Sequence, residues 1–214
     1  MSTVKARPIL FSAPMVRALI DGRKTQTRRI LKPQPIDISG SSIDHYSREG
    51  FDAIARHCKH GKPGDFLWAR ETTCIAPKRF ADPDDSCVPD YDNDLRYVSY
   101  KADGHSEDAM RDYKLKWTPS IHVPRWASRL MLRIISVRVE RLNDISHEDA
   151  IAEGIQVDEC GHAIRPHDSI NWGGAASAFA ELWESINGAD SWKLNPWIWV
   201  IEFEVIQKNI DEGF

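Results

Sequence analysis

"PWIWVIEFEVI", residues 196–206, alternates at strict period two, with Trp197, Trp199, Ile201, Phe203 and Val205 on one face. Alternation of this kind belongs to a β-strand with a buried face. A second strand-like run, "RLMLRIISVRVERL" (129–142), precedes it, and its apolar phase slips near Ile134 and Ile135 as at a bulge. "KPGDFLWARETTCI" (62–75) reads as a turn followed by a strand, and "RYVSYKAD" (96–103) as another strand. Two helices lie between the long strands. "ISHEDAIAEGI" (145–155) opens on a capping pattern of Ser146 and Asp149 and stops at Gly154. "GGAASAFAELWESING" (173–188) is amphipathic. Several strands with a few short helices define an α+β chain built on a small β-barrel with short flanking helices.

The other decisive stretch lies near the start. "MVRALI" forms a short helix capped by Ser12, with Pro14 in its first turn and Gly22 at its stop. "KTQTRRIL" (24–31) then reads as a strand, with Thr25, Thr27 and Arg29 on one face and Gln26, Arg28 and Ile30 on the other. Six of the sixteen residues from Arg17 to Lys32 are basic, although the whole chain carries a formal net charge of −4. A generally nucleic-acid-coating protein is therefore not expected, and any such site is a local patch. In most proteins a basic strand beside a turn is a solvated edge, because lysines protect edges from pairing.

With 214 residues, 42% hydrophobic and 28% charged, the chain is long enough for a real core. No apolar run approaches a membrane span, and the N-terminus lacks the long apolar region of a signal peptide, so a cytoplasmic protein is expected. Cys58, Cys74, Cys87 and Cys160 are scattered without a CxxC pair and read as free thiols. "RHCKH" offers His57, Cys58 and His60, and "CGHAIRPH" offers Cys160, His162 and His167. Neither has a known zinc-ligand spacing, so neither a metal nor a cofactor is expected. Residues 33–62 read as a long Pro-, Ser- and Gly-rich loop, and residues 77–95 as an acidic insertion.

Four blocks, "DGRKTQTRR", "KPGDFLWARET", "RVERLNDISHEDAIAEGI" and "NPWIWVIEFEV", taken in that order, resemble the ASCH family. The resemblance implies a PUA-like β-barrel, residues 1–214 as a single domain with insertions at about 33–62, 77–95 and 155–195, and an association with RNA. In the family signature Gly-x-Lys-x-x-Glu-x-Arg, Gly22, Lys24 and Arg29 match, while Thr27 stands at the glutamate position. The bacterial members that hydrolyse N(4)-acetylcytidine also read Gly-Arg-Lys-Thr-x-Thr here. Carried over from them, the catalytic set is Lys24, Thr27 and Glu153. The extended form of the chain looks like members encoded by bacteriophages and prophages.

Amide hydrolysis needs a nucleophile, a proton acceptor and a donor for the leaving amine. A threonine hydroxyl is a poor nucleophile until a base takes its proton. Lysine serves as that base only when burial and nearby cations lower its pKa, a role open to Arg23, Arg28 and Arg29, which are also expected to bind the substrate or nucleic acid. Lys24 and Thr27 converge only if Lys24 lies in the turn before the regular strand. Trp68 offers a stacking face and Arg70 a phosphate or base-edge contact, with barrel core as the bland reading of Trp68. Glu71 reads as a second carboxylate of the pocket or as a salt-bridge partner. "PSIHVPRWASR" (119–129) sets Trp126 between Arg125 and Arg129, either a nucleic-acid surface or a rigid connection. The expected partner is a modified nucleoside or RNA. Three functions fit: an amidohydrolase of N(4)-acylated cytidine or a related nucleoside, a non-catalytic RNA or modified-base binder, and a ribonuclease.

Overall fold

The computed structural model describes residues 4–35, 48–77, 96–104, 110–111, 115–164 and 174–207. Cys87, His167 and nearly all of the expected acidic insertion lie outside these residues.

The fold is α+β. Along the chain run β1 (Ala6–Leu10), α1 (Ala13–Ile20), β2 (Gln26–Ile30), α2 (Arg48–Ala55), β3 (Phe66–Arg70), β4 (Thr73–Pro77), β5 (Arg96–Tyr100) and β6 (Met131–Arg141). Then come α3 (His147–Ala152), α4 (Ala175–Asn187) and β7 (Trp197–Ile206). One sheet has five strands in the order β1-β3-β6-β7-β2, and a second pairs β4 with β5. Strand β2 runs antiparallel to β7, with Thr27 opposite Ile201 and Arg29 opposite Trp199. Among the described residues no helix is long and apolar enough to cross a membrane.

The chain divides into two compact units. The first comprises Met1–Arg7, Ala18–Leu67 and Leu132–Val205, and the second Pro8–Arg17, Trp68–Met131 and Ile206–Phe214.

In the first unit the strand 197–206 is buried on both faces over its first half. Trp197, Trp199 and Ile201 share one face, while Ile198 and Val200 on the other are fully covered. The cover comes from the helices: Ala150 of α3 and Ala175, Phe179 and Trp183 of α4 cluster with Ile198, Val200, Leu142 and Ile145. Polar alternation returns only at Glu202 and Glu204. Burying a side chain of this size is worth about 2 kcal/mol, so this layer holds α3 firmly against the sheet.

Three features depart from the sequence reading. A strand, β1, precedes the first helix. A helix, α2, lies within the segment read as a loop, because "REGFDAIA" is amphipathic inside a Pro- and Ser-rich context. "FLWARETTCIAP" forms two strands, β3 and β4, rather than one. Strand β6 is unbroken over 11 residues. Its neighbouring residues Ile134 and Ile135 are 1% and 56% exposed, so the apolar slip expected there leaves one isoleucine in water.

In the second unit, β4 and β5 pair antiparallel from Thr73–Tyr100 to Pro77–Arg96. Cys74 and Met110 form a small core with Leu115 and Trp117. "PSIHVPRWASR" becomes two short 3-10 turns, Ser120–His122 and Arg125–Ala127, each following a proline. Cys58, Cys74 and Cys160 are free thiols.

Candidate active site

Chain geometry explains why the basic stretch exists. Helix α3 begins where Ser146 accepts the backbone N–H of Asp149 at 3.0 Å. It ends at Gly154, whose φ of +102° is left-handed and suits glycine. A short helix leaves its last carbonyls without partners. The stretch 23–26 supplies them. The Ala152 carbonyl accepts Thr25 N–H at 2.9 Å, and the Glu153 carbonyl accepts Lys24 Nζ at 2.9 Å. The Gly154 carbonyl accepts the Arg23 guanidinium at 3.2 Å, and the Asp149 carbonyl, already bonded by Glu153 N–H at 2.9 Å, also accepts Gln26 Nε2 at 2.7 Å.

Lys24 therefore lies between the turn at Gly22 and the first residue of β2. Its backbone N–H reaches the Ala18 carbonyl at 2.9 Å. Its stem passes Gly154 so closely that a Cβ there would stand 3.4 Å from the Lys24 Cβ and 3.1 Å from the Ala18 Cβ. Gly154 thus serves a helix stop and a close passage at once.

Lys24 is 0% exposed and donates to Glu153 Oε2 at 2.7 Å. Glu153 Oε1 faces Arg28 at 3.3 Å. Arg28 continues to Asp149 at 2.8 Å and Glu140 at 3.4 Å. Arg138 binds Asp149 at 2.9 Å and also pairs with Glu140 and Glu202. The Arg28 guanidinium carbon lies 5.8 Å from the Phe179 ring centroid, a cation–π distance. A chain of ion pairs thus runs from the sheet edge across α3 to β6.

Burial lowers the Lys24 pKa from its ordinary 10.5. The charge of Glu153 and its hydrogen bond oppose this, while the Arg29 and Arg28 charges add to the lowering. Arg28 and Arg29 thus act in the electrostatic sense expected of them. Arg23 divides its guanidinium between the Gly154 carbonyl at 3.2 Å and Asp21 at 2.7 Å. Thr27 is buried, 3% exposed, and by strand alternation shares its face with Thr25 and Arg29 rather than with Gln26 and Arg28. Arg29 is largely buried, which lowers its own pKa while Glu153 pulls it up.

The expected site residues Trp68, Arg70 and Glu71 belong to the second unit. Trp68 is a core residue at 8% exposure. Arg70 stacks over its ring at 5.3 Å and donates to the backbone carbonyls of Val123, at 3.0 Å, and Ile121. Glu71 pairs with Arg129, not with its neighbour Arg70, at 2.9 and 3.1 Å. Arg129 in turn grips Asp103 at 2.7 and 2.9 Å and lies 3.9 Å from the Tyr100 ring centroid.

Sequence reasoning missed Asp149 and Arg138 as members of the Glu153 network. A signal was present: Asp149 and Glu153 stand four apart along α3, and Lys24, Gln26 and Arg28 recur at period two as two cations and an amide donor. Comparison with family models, with curated proteins and with solved structures finds no match for this chain.

Proposed function

We propose that this chain is a hydrolase of the ASCH type on a PUA-like barrel, acting on N(4)-acylated cytidine or a related modified nucleoside. The observation that carries the reading is the Lys24–Glu153 pair: a wholly buried amine, 2.7 Å from a buried carboxylate, with its pKa lowered by burial and two guanidiniums. A buried lysine with a depressed pKa is suited to take and return a proton near neutrality.

In this reading the neutral Lys24 amine takes the hydroxyl proton of Thr27 as that oxygen attacks the acyl carbon. The Lys24 ammonium returns the proton to the cytosine amine as the amide bond breaks. Glu153 then orients the water that cleaves the acyl-threonine ester. Thr27 enters on the sequence resemblance, while Lys24 and Glu153 rest also on their geometry. Binding of RNA without chemistry is the weaker reading. Arg28 and Arg70 direct their guanidiniums to carboxylates and carbonyls of the chain rather than toward a phosphate. A ribonuclease reading needs a carboxylate cluster for metal, whereas Glu153 and Glu71 are each held by cations.

Incubation with N(4)-acetylcytidine, followed by chromatography, tests the proposal. Cytidine from the wild type, and none from folded Lys24→Ala or Thr27→Val, is the expected result. Equal cytidine from wild type and Lys24→Ala overturns it.

A further inference from the structure

The hairpin after α3 carries side chains that the hydrolase reading does not use. Its strands meet in the Val157–Ala163 bridge, and His162 bridges onward to Gly174. The turn is fixed by Asp158, whose carbonyl accepts Gly161 N–H at 3.0 Å. One carboxylate oxygen, Oδ1, accepts the backbone N–H groups of Cys160 at 2.9 Å and His162 at 2.8 Å. The other, Oδ2, is turned to His162 Nδ1 at 3.4 Å. The ligand atoms of Asp158, Cys160 and His162 all lie within 4.8 Å of one another.

These distances suit one ion. Oxygen and nitrogen ligands about 2.0–2.1 Å from a tetrahedral zinc stand about 3.3 Å apart, and a thiolate at about 2.3 Å stands a little farther. The Asp158–His162 separation is close to that value at 3.4 Å, and the exposed Cys160 thiol lies within 4.8 Å of both. A second imidazole lies against the turn. His147, the first residue of α3, has Nε2 3.7 Å from where a Gly161 Cβ would stand and Nδ1 3.7 Å from where a Gly174 Cβ would stand.

We infer that Asp158, Cys160 and His162 form a three-residue binding site for a borderline-soft divalent cation of the zinc type. The donor set of thiolate, imidazole and carboxylate favours zinc over calcium or magnesium, which take oxygen ligands. The expectation of no metal from sequence rested on spacing within "CGHAIRPH". That pattern hid Asp158, two residues before Cys160. The site is independent of the hydrolase reading, and its test involves no turnover.

The full chain, stripped with a chelator, is titrated with Zn²⁺ by calorimetry and with Co²⁺ by absorption. One ion per chain and a thiolate-to-cobalt charge-transfer band are expected. Cys160→Ser should remove the band, and His162→Ala should weaken affinity about tenfold or more. Zn²⁺ should also slow alkylation of Cys160, read by mass spectrometry on the unaltered protein. No stoichiometric ion, a band that survives in Cys160→Ser, or unprotected Cys160 at saturating Zn²⁺ overturns the site.

Discussion

Two buried glutamates, one in each unit, are handled in opposite ways. Glu71 is clamped by Arg129 through two parallel bonds, and the same guanidinium forks onto Asp103 and stacks on Tyr100. Arginine keeps its proton in proteins, so this clamp has one protonation state for its cation. Glu153 instead receives a lysine at 2.7 Å and an arginine only at 3.3 Å. Lysine is the cation that burial readily neutralises. The difference teaches that ion pairing alone does not mark a site. What separates the two is whether the buried cation can lose its proton.

That contrast predicts a double dissociation. The largest effect is Lys24→Ala, expected to lower kcat on N(4)-acetylcytidine by about a thousandfold. Lys24→Met combined with Glu153→Gln, which removes both charges together, should fold and remain inactive. Next is Arg129→Ala, which strands Glu71 in the protein and should cost about 3 kcal/mol in urea unfolding. Its turnover per folded molecule should stay near that of the wild type. Equal losses of turnover in both variants would erase the distinction.

Smaller changes sharpen it. Gly154→Ala places a side chain at φ +102° and 3.1 Å from Ala18, an expected loss of about 2 kcal/mol with turnover reduced, since the Lys24 stem must move. Ser146→Ala removes the cap of α3 and should cost about 1 kcal/mol. Acid acts on the Glu153 network through Asp149. Burial tends to raise its carboxyl, but Arg28 and Arg138 prevail and hold it below the ordinary 3.8. Its stabilisation is complete above that value and is lost as pH falls through the lowered one. Asp149→Asn should flatten that acid limb of the stability curve.

Much of the first unit was legible because its signals are local. The period-two run at 197–205, the Ser146 cap, the Gly154 stop and the amphipathic α4 each follow from neighbours in sequence. The strand read from Lys24 onward begins two residues later, at Gln26. Burial of the basic stretch was not legible. Strand β2 does lie at the end of the sheet order, as a lysine-rich edge would, yet α3 covers its cations. That cover depends on partners 121 to 129 residues away, which no local pattern encodes. The pairing of Glu71 was likewise out of reach, since Arg129 lies 58 residues on while Arg70 is adjacent.

The account stands on Lys24 being a proton-exchanging group rather than a fixed cap on α3. The most direct measurement is a pH titration of the Lys24 side chain by NMR, with ¹³C-labelled lysine and Lys24→Met for assignment. A midpoint clearly below 10.5 is predicted, moving further down in Glu153→Gln, where the attraction that opposes burial is removed. A midpoint at or above 10.5 would mean that Glu153 outweighs burial and both arginines. Lys24 would then be a permanent cation like Arg129, and the hydrolase proposal would lose its base.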